Sequence, residues 1–143
     1  MLTVDQLVDF LKTGTAPDRY LDVELHCYML GPPCTVLGMP QQNGNTILVR
    51  WIDQNGAVQN TNLASTVFPS YTLSGRNAID FARKLFPDGE VTLKVQGPAG
   101  APEVRCRVDI PGDHKLNVAP YSEPAVLARL LCAAAIELAE AQP

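Results

Sequence analysis

The sequence is poor in the residues that make chemistry legible. Its four cysteines, Cys27, Cys34, Cys106 and Cys132, form no C-x-x-C pair, and its two histidines, His26 and His114, stand far apart. Zinc sites need closer ligand spacings, so the thiols read as buried and reduced, and no metal or other cofactor is expected. Neither G-x-x-x-x-G-K-[ST] nor G-x-G-x-x-G occurs, which leaves a phosphate-cradling glycine loop without support. No nucleophile beside a base and no paired carboxylates leave a signature. Asp109, Asp113 and His114 surround a Pro-Gly-Asp turn, where polar residues are ordinary, so the chain is not expected to be an enzyme. Cationic excess is missing as well: a formal net charge of −4 argues against duplex nucleic acid or a membrane surface as partner. No apolar run approaches a membrane span. The opening MLTVDQLVDFLK is acidic and helically periodic, unlike a signal peptide, so a cytoplasmic location is expected.

What the chain does have is a long apolar helix near its end. Over residues 122–141, Leu127, Leu131, Ala134 and Leu138 fall on one side of a helical wheel, while Arg129, Glu137 and Glu140 form a narrow polar strip. Pro124 suits the first helical position, and the run Cys132-Ala133-Ala134-Ala135 lets neighbours approach closely. The spacing predicts a central buried helix within a single domain of 143 residues.

Upstream, Thr3 with Gln6 makes a capping box and Leu2 with Leu7 a hydrophobic staple, predicting a helix over 4–12 with Gly14 as a left-handed stop. A second helical pattern opens at Pro17-Asp18 and runs through Leu21, Leu25, Tyr28 and Met29 to Gly31-Pro32-Pro33. His26, four residues past Asp22, reads as half of a solvent-facing ion pair. Residues 34–61 carry strand periodicity broken at Asn43-Gly44 and Asn55-Gly56, a meander of three short strands whose middle member is the best buried. Trp51 reads as core or rim packing. Residues 60–70 read as a linker. A third helix follows, capped by Thr72 or Ser74, with Ala78, Ile79, Ala82, Leu85 and Phe86 inside and Asp80 paired to Lys84 outside. Residues 90–96 and 103–110 alternate without a fault, and 116–119 supply a short third strand before the last helix. The expected fold is therefore α+β, with antiparallel sheets packed against helices in the order α-α-βββ-α-βββ-α. It is one domain with a two-half organisation over 1–69 and 70–143.

Several of these stretches carry a resemblance. They are Tyr71-Thr72, Leu85-Phe86-Pro87-Asp88-Gly89, the strand Val91 to Val95, Glu123-Pro124-Ala125, the run Leu130-Leu131-Cys132-Ala133-Ala134-Ala135, and Pro17-Asp18-Arg19-Tyr20-Leu21-Asp22. In these residues the chain resembles the phage ABA-sandwich family, small proteins of phages and prophages. Residues 34–61 depart from that pattern and look like an insertion. The resemblance implies a compact α+β sandwich of phage origin and brings no catalytic residues with it.

One charge anomaly points to function. In the simplest hairpin register Lys94 faces Arg105, Thr92 faces Arg107, Gln96 faces Glu103 and Glu90 faces Asp109, so like charges meet twice. In an acidic chain, Lys94, Arg105 and Arg107 read either as a solvated face on which diagonal pairs such as Glu90 with Arg107 relieve the repulsion, or as a site for something anionic, with Arg50, Trp51, Arg76 and Lys115 as further candidates for charge and stacking. Joined to the phage resemblance, the second reading gives a non-enzymatic protein that sequesters a small anionic ligand, a nucleotide-type immune signal of the host. The alternative is a structural or protein-interaction protein of a phage or prophage. Ile136, beside Arg129 on the polar strip, and the strand edges of the meander suggest a homo-oligomer.

Overall fold

In the computed structural model, helix α1 (Val4–Thr13) opens on the capping box read from the sequence. Gln6 N–H donates to Thr3 Oγ1 at 3.1 Å and Thr3 N–H donates to Gln6 Oε1 at 3.0 Å, satisfying two orphan donors reciprocally. The structure describes residues 2–38, 46–87, 90–96, 103–110, 114–115 and 124–141, with the backbone path alone at Ser65, at 90–96, 103–110 and 114–115, and at Pro124. Among the described residues its architecture is α+β: four helices, with a three-stranded antiparallel sheet packed on the helical part.

Helix α2 (Arg19–Leu30) is capped by Asp18, whose carboxylate accepts from Leu21 N–H at 3.1 Å. It lies between two cores. Leu21 and Leu25 join the helical core, whereas Val23 and Cys27 pack with Val36, Ile47 and Val49 of the sheet. A helix covered on two sides shows no single apolar stripe, which is why α2 is only weakly marked in the sequence.

The first sheet has the order β1 (Thr35–Val36), β2 (Thr46–Ile52), β3 (Val58–Ala64). Its hairpin turns at Asn55-Gly56. Gly56 has φ 80°, its N–H donates to Asp53 O, and Asp53 Oδ1 accepts from the N–H groups of Asn55 and Ala57, both at 2.9 Å. Burial in β2 alternates: Ile47 and Val49 are buried under α2, while Leu48 and Arg50 on the other face are half-buried. The linker expected over 60–70 is displaced. β3 continues to Ala64 because Leu63, opposite Ile47, packs onto the sheet core, and a short 3-10 turn, Ser65–Val67, follows.

Helix α3 (Gly75–Leu85) is capped by Ser74 and buries Ala78, Phe81 and Ala82. Lys84 does not pair with Asp80; its ammonium donates to Tyr71 Oη at 3.2 Å. Strands β4 (Glu90–Gln96), β5 (Glu103–Ile110) and β6 (His114–Lys115) pair antiparallel along their backbones. The third strand expected over 116–119 lies outside the described residues.

Helix α4 (Pro124–Ala141) begins at the expected proline and buries Leu127, Ala128, Leu131, Cys132, Ala135 and Ile136. Burial of each leucine contributes about 1.5–3 kcal/mol. Two residues placed on its polar strip are in fact inside: Arg129 is 6% exposed and Ile136 0%. Ile136 fills the core of its own chain and offers no surface to a partner. Arg129 closes the end of α1. Its Nε donates to Leu11 O at 3.1 Å, Nη1 to Ala16 O at 2.8 Å and Nη2 to Phe10 O. Gly14 is accordingly extended, with φ −92°, and not left-handed. Glycine is needed there because a Cβ would stand 1.9 Å from Arg129 Nη2. Glu137 and Glu140 remain outside, Glu137 paired with Lys12 and Glu140 accepting from Tyr28 Oη at 2.8 Å. No helix of the described residues is long and apolar enough to cross a membrane.

Candidate functional site

The backbone register of β4 against β5 sets Lys94 opposite Arg105, Thr92 opposite Arg107, Gln96 opposite Glu103 and Glu90 opposite Asp109. Lys115 of β6 stands opposite Asp109. Because alternate strand residues share a face, this register puts Lys94, Arg105, Arg107 and Lys115 on one face of the three strands, together with Glu90, Glu103 and Asp109. Their side chains lie outside the described residues, as does Asp113.

Arg50, Trp51 and Arg76 do not join into one constellation. Arg50 and Trp51 are successive residues of β2 and so belong to opposite faces. Arg50 Nε donates to Asn60 Oδ1 at 3.2 Å, and the half-buried Trp51 donates from Nε1 to Thr61 Oγ1 at 3.0 Å. Arg76 is exposed in the first turn of α3. Among the described residues no hydrogen bond or ion pair links the three.

Two polar clusters escaped the sequence reading. In the first, Asp22, 1% exposed, accepts at Oδ1 from Thr72 N–H (2.8 Å) and Thr72 Oγ1 (2.9 Å), and at Oδ2 from Arg19 Nη1 (3.0 Å). Arg19 also donates to Ser70 Oγ and Phe68 O, so the cluster ties α2 to the segment before α3. Burial pushes the Asp22 carboxyl above its ordinary value, against the two Thr72 hydrogen bonds and the Arg19 charge. His26, expected to pair with Asp22, instead sits 3.4 Å from Tyr71 Oη, edge-on to Phe68 with ring centroids 5.5 Å apart. Asp22 is already engaged by Thr72 and Arg19. Burial, then the Lys84 charge, holds His26 below its ordinary value. The Arg19–Asp22 spacing of three residues was the available signal for this cluster. The long-range donation from Thr72 to Asp22 was not visible.

The second cluster surrounds Glu24. It lines a recess of about 220 Å³ between the first turn of α1, the end of α2 and the turn from Gly31 to Thr35. Glu24 Oε1 accepts from Leu2 N–H at 3.2 Å and from Tyr20 Oη at 2.9 Å. Burial first, and then the Glu24 hydrogen bond, raises the Tyr20 phenol far above its ordinary value. Burial likewise pushes the Cys27 thiol, also in the lining, up to about 12. A wider groove of about 570 Å³ between α1 and α4 is lined by Asp5, Asp9, Glu137 and Glu140, with Lys12 the cation among its lining residues. Four carboxylates around one ammonium repel an anionic ligand, so that groove is no substitute for the basic strand face. Cys27, Cys34 and Cys132 are free thiols, Cys27 and Cys132 buried. Among the described residues no three His, Cys, Asp or Glu side chains cluster as metal ligands. Compared with family models, curated proteins and solved structures, the chain matches none of them.

Proposed function

We propose that this protein binds a small anionic ligand without transforming it, on the face of β4, β5 and β6 that carries Lys94, Arg105, Arg107 and Lys115. The observation that supports the reading is the register of β4 against β5, with Lys94 directly opposite Arg105 and Arg107 in the next same-face position. Opposed like charges destabilise a sheet surface by a few tenths of a kcal/mol or more. A chain of net charge −4 has acidic residues enough to avoid that arrangement, and an anion bound across the face would relieve it. We take β4 to β6 as the second layer of a sandwich, its other face on the helices. The resemblance to phage sandwich proteins favours a nucleotide-type immune signal as the ligand and sequestration in the cytoplasm of an infected cell as the role. Arg50, Trp51 and Arg76 are not part of this site as we propose it.

A screen of cyclic di- and trinucleotides and cyclic ADP-ribose isomers by thermal shift and calorimetry tests the proposal. A ligand at 100-fold its dissociation constant stabilises by about 2.7 kcal/mol, several degrees for a domain of this size. It should be recovered intact after denaturation, and Arg105→Glu with Arg107→Glu should abolish the shift. No shift with any nucleotide would remove the reading. The protein-interaction alternative is supported by β3, an edge of the first sheet, where exposed Val58 adjoins exposed Ile52. Light scattering that detects a dimer would favour it, and a species of 15.5 kDa alone would count against self-association.

A further inference from the structure

We propose that the recess beneath the first turn of α1 binds a small organic monoamine, an apolar body about the size of a benzene ring bearing one ammonium, with Glu24 as its counter-ion. The reading begins with an incompletely satisfied carboxylate. Glu24 is only 4% exposed, and both of its hydrogen bonds, from Leu2 N–H and Tyr20 Oη, fall on Oε1. Among the described residues no donor reaches Oε2. That oxygen is not among the fully enclosed unpaired atoms, so it is open to the recess, where an ammonium would replace water with a charge-assisted hydrogen bond.

The rest of the recess defines the body of the ligand. Leu2, Val4, Leu7, Cys27 and Tyr28 supply a mainly apolar lining, and among the described residues no lysine, arginine or histidine belongs to it. The Cys27 thiol, held up at about 12, and the Tyr28 phenol, raised by burial and by its bond to Glu140, stay neutral at pH 7. Glu24 is therefore the charge that a ligand must answer. An apolar cavity of about 150 Å³ is enough to admit benzene. At about 220 Å³ this recess has room for that ring and an aminomethyl group. A bare divalent cation fits poorly, because it requires six or more oxygen ligands and the lining offers one carboxylate. A neutral alcohol would fill the space but leave the carboxylate charge uncompensated. The site shares no residue with the strand face proposed for the anionic ligand, so the two readings stand or fall separately.

The test uses the full chain at pH 7 with benzylamine, benzyl alcohol and benzoate, followed by thermal shift and by methyl NMR of the leucines and valines. Benzylamine should move the methyl signals of Leu2, Val4 and Leu7 saturably and bind at least tenfold more tightly than benzyl alcohol, and benzoate should have no effect. Val4→Phe, which fills the recess and leaves Glu24 intact, should weaken benzylamine at least tenfold while the native spectrum persists. Glu24→Gln should bring amine and alcohol within twofold of each other. If that variant fails to fold, because Glu24 also holds Leu2 and Tyr20, the ligand series on the native chain and Val4→Phe decide the matter. Equal affinity for amine and alcohol, no binding of benzylamine, or binding indifferent to Val4→Phe would each overturn the proposal.

Discussion

Replacing Arg129 by methionine should unhook α4 from the end of α1, and the size of the effect follows from what the guanidinium holds. It donates to the carbonyls of Leu11, Ala16 and Phe10, two of which belong to the last turn of α1, where intrahelical donors have run out. Hydrogen bonds to a charged group contribute about 1.5–3 kcal/mol each. Burying the guanidinium costs several kcal/mol in return. Phe10 O also retains the Gly14 N–H, at 3.3 Å, so the main loss is at Leu11 and Ala16. Arg129→Met should therefore destabilise the protein by about 2–4 kcal/mol, or about 6–12 °C in Tm for a chain of this size. Gly14 makes the argument sharper. Its φ of −92° and ψ of 162° suit alanine, yet a Cβ would lie 2.2 Å from Arg129 Cζ. Gly14→Ala should thus be strongly destabilising beside arginine. Beside methionine it should be neutral or stabilising by about 0.4–1 kcal/mol through the unfolded chain. Urea denaturation of the four proteins gives the coupling energy directly, and it should exceed about 1.5 kcal/mol. Additivity within about 0.5 kcal/mol would refute the contact and the role assigned to the glycine.

His26 should titrate below the usual histidine value of about 6.5, because burial and the Lys84 charge both disfavour its protonated form. The unfolded chain then binds the proton more readily, so stability is undiminished above about pH 6.5 and is lost as pH falls toward the depressed pKa. NMR titration of His26 checks this, and Lys84→Gln should move the midpoint upward; a midpoint above 6.5 in the native protein would contradict the packing described. Asp22 has the opposite sign. Its raised pKa means that ionisation opposes folding, so acidification through that pKa toward the unfolded value of 3.8 restores stability. Thr72→Val removes the hydroxyl that donates to Asp22 and accepts from Asp18 N–H, which should cost about 1–3 kcal/mol and raise the Asp22 pKa further. A carboxyl titration that does not move in this variant would show that the hydroxyl bond is not formed.

The features legible in the sequence are those whose physics closes within a few residues. The Thr3–Gln6 box, the opening of α2 at Asp18, the proline start of α4 and the Asn55-Gly56 turn each depend on groups no more than four positions apart, and each is found where it was expected. Register in β4 and β5 was legible for a related reason, because an alternation of period two leaves a short hairpin few ways to pair. The same period should have separated Arg50 from Trp51, which as neighbours on a strand never share a face. Arg129 could not be read locally. On its own helix it groups with Glu137 and Glu140, and only the end of α1, 118 positions away in sequence, explains why it is buried. Gly14 was misread for the complementary reason, since its lack of a side chain serves that arginine and not its own backbone.

Asp22 and Glu24 extend that point to function. Both sit on α2, the helix with a core on either side, and both are polar residues at a junction between chain segments. At the end of α1, the Arg129 guanidinium and three carbonyls satisfy one another within the chain, and Asp22 is satisfied by Thr72 and Arg19. Glu24 alone among these three keeps an oxygen with no described donor, and it is the one that borders an apolar recess large enough for a small molecule. An oxygen that fold-building leaves without a described donor, and that is not fully enclosed, is met by water or by a partner from outside the chain. The recess beside it makes the second the more economical reading of Glu24.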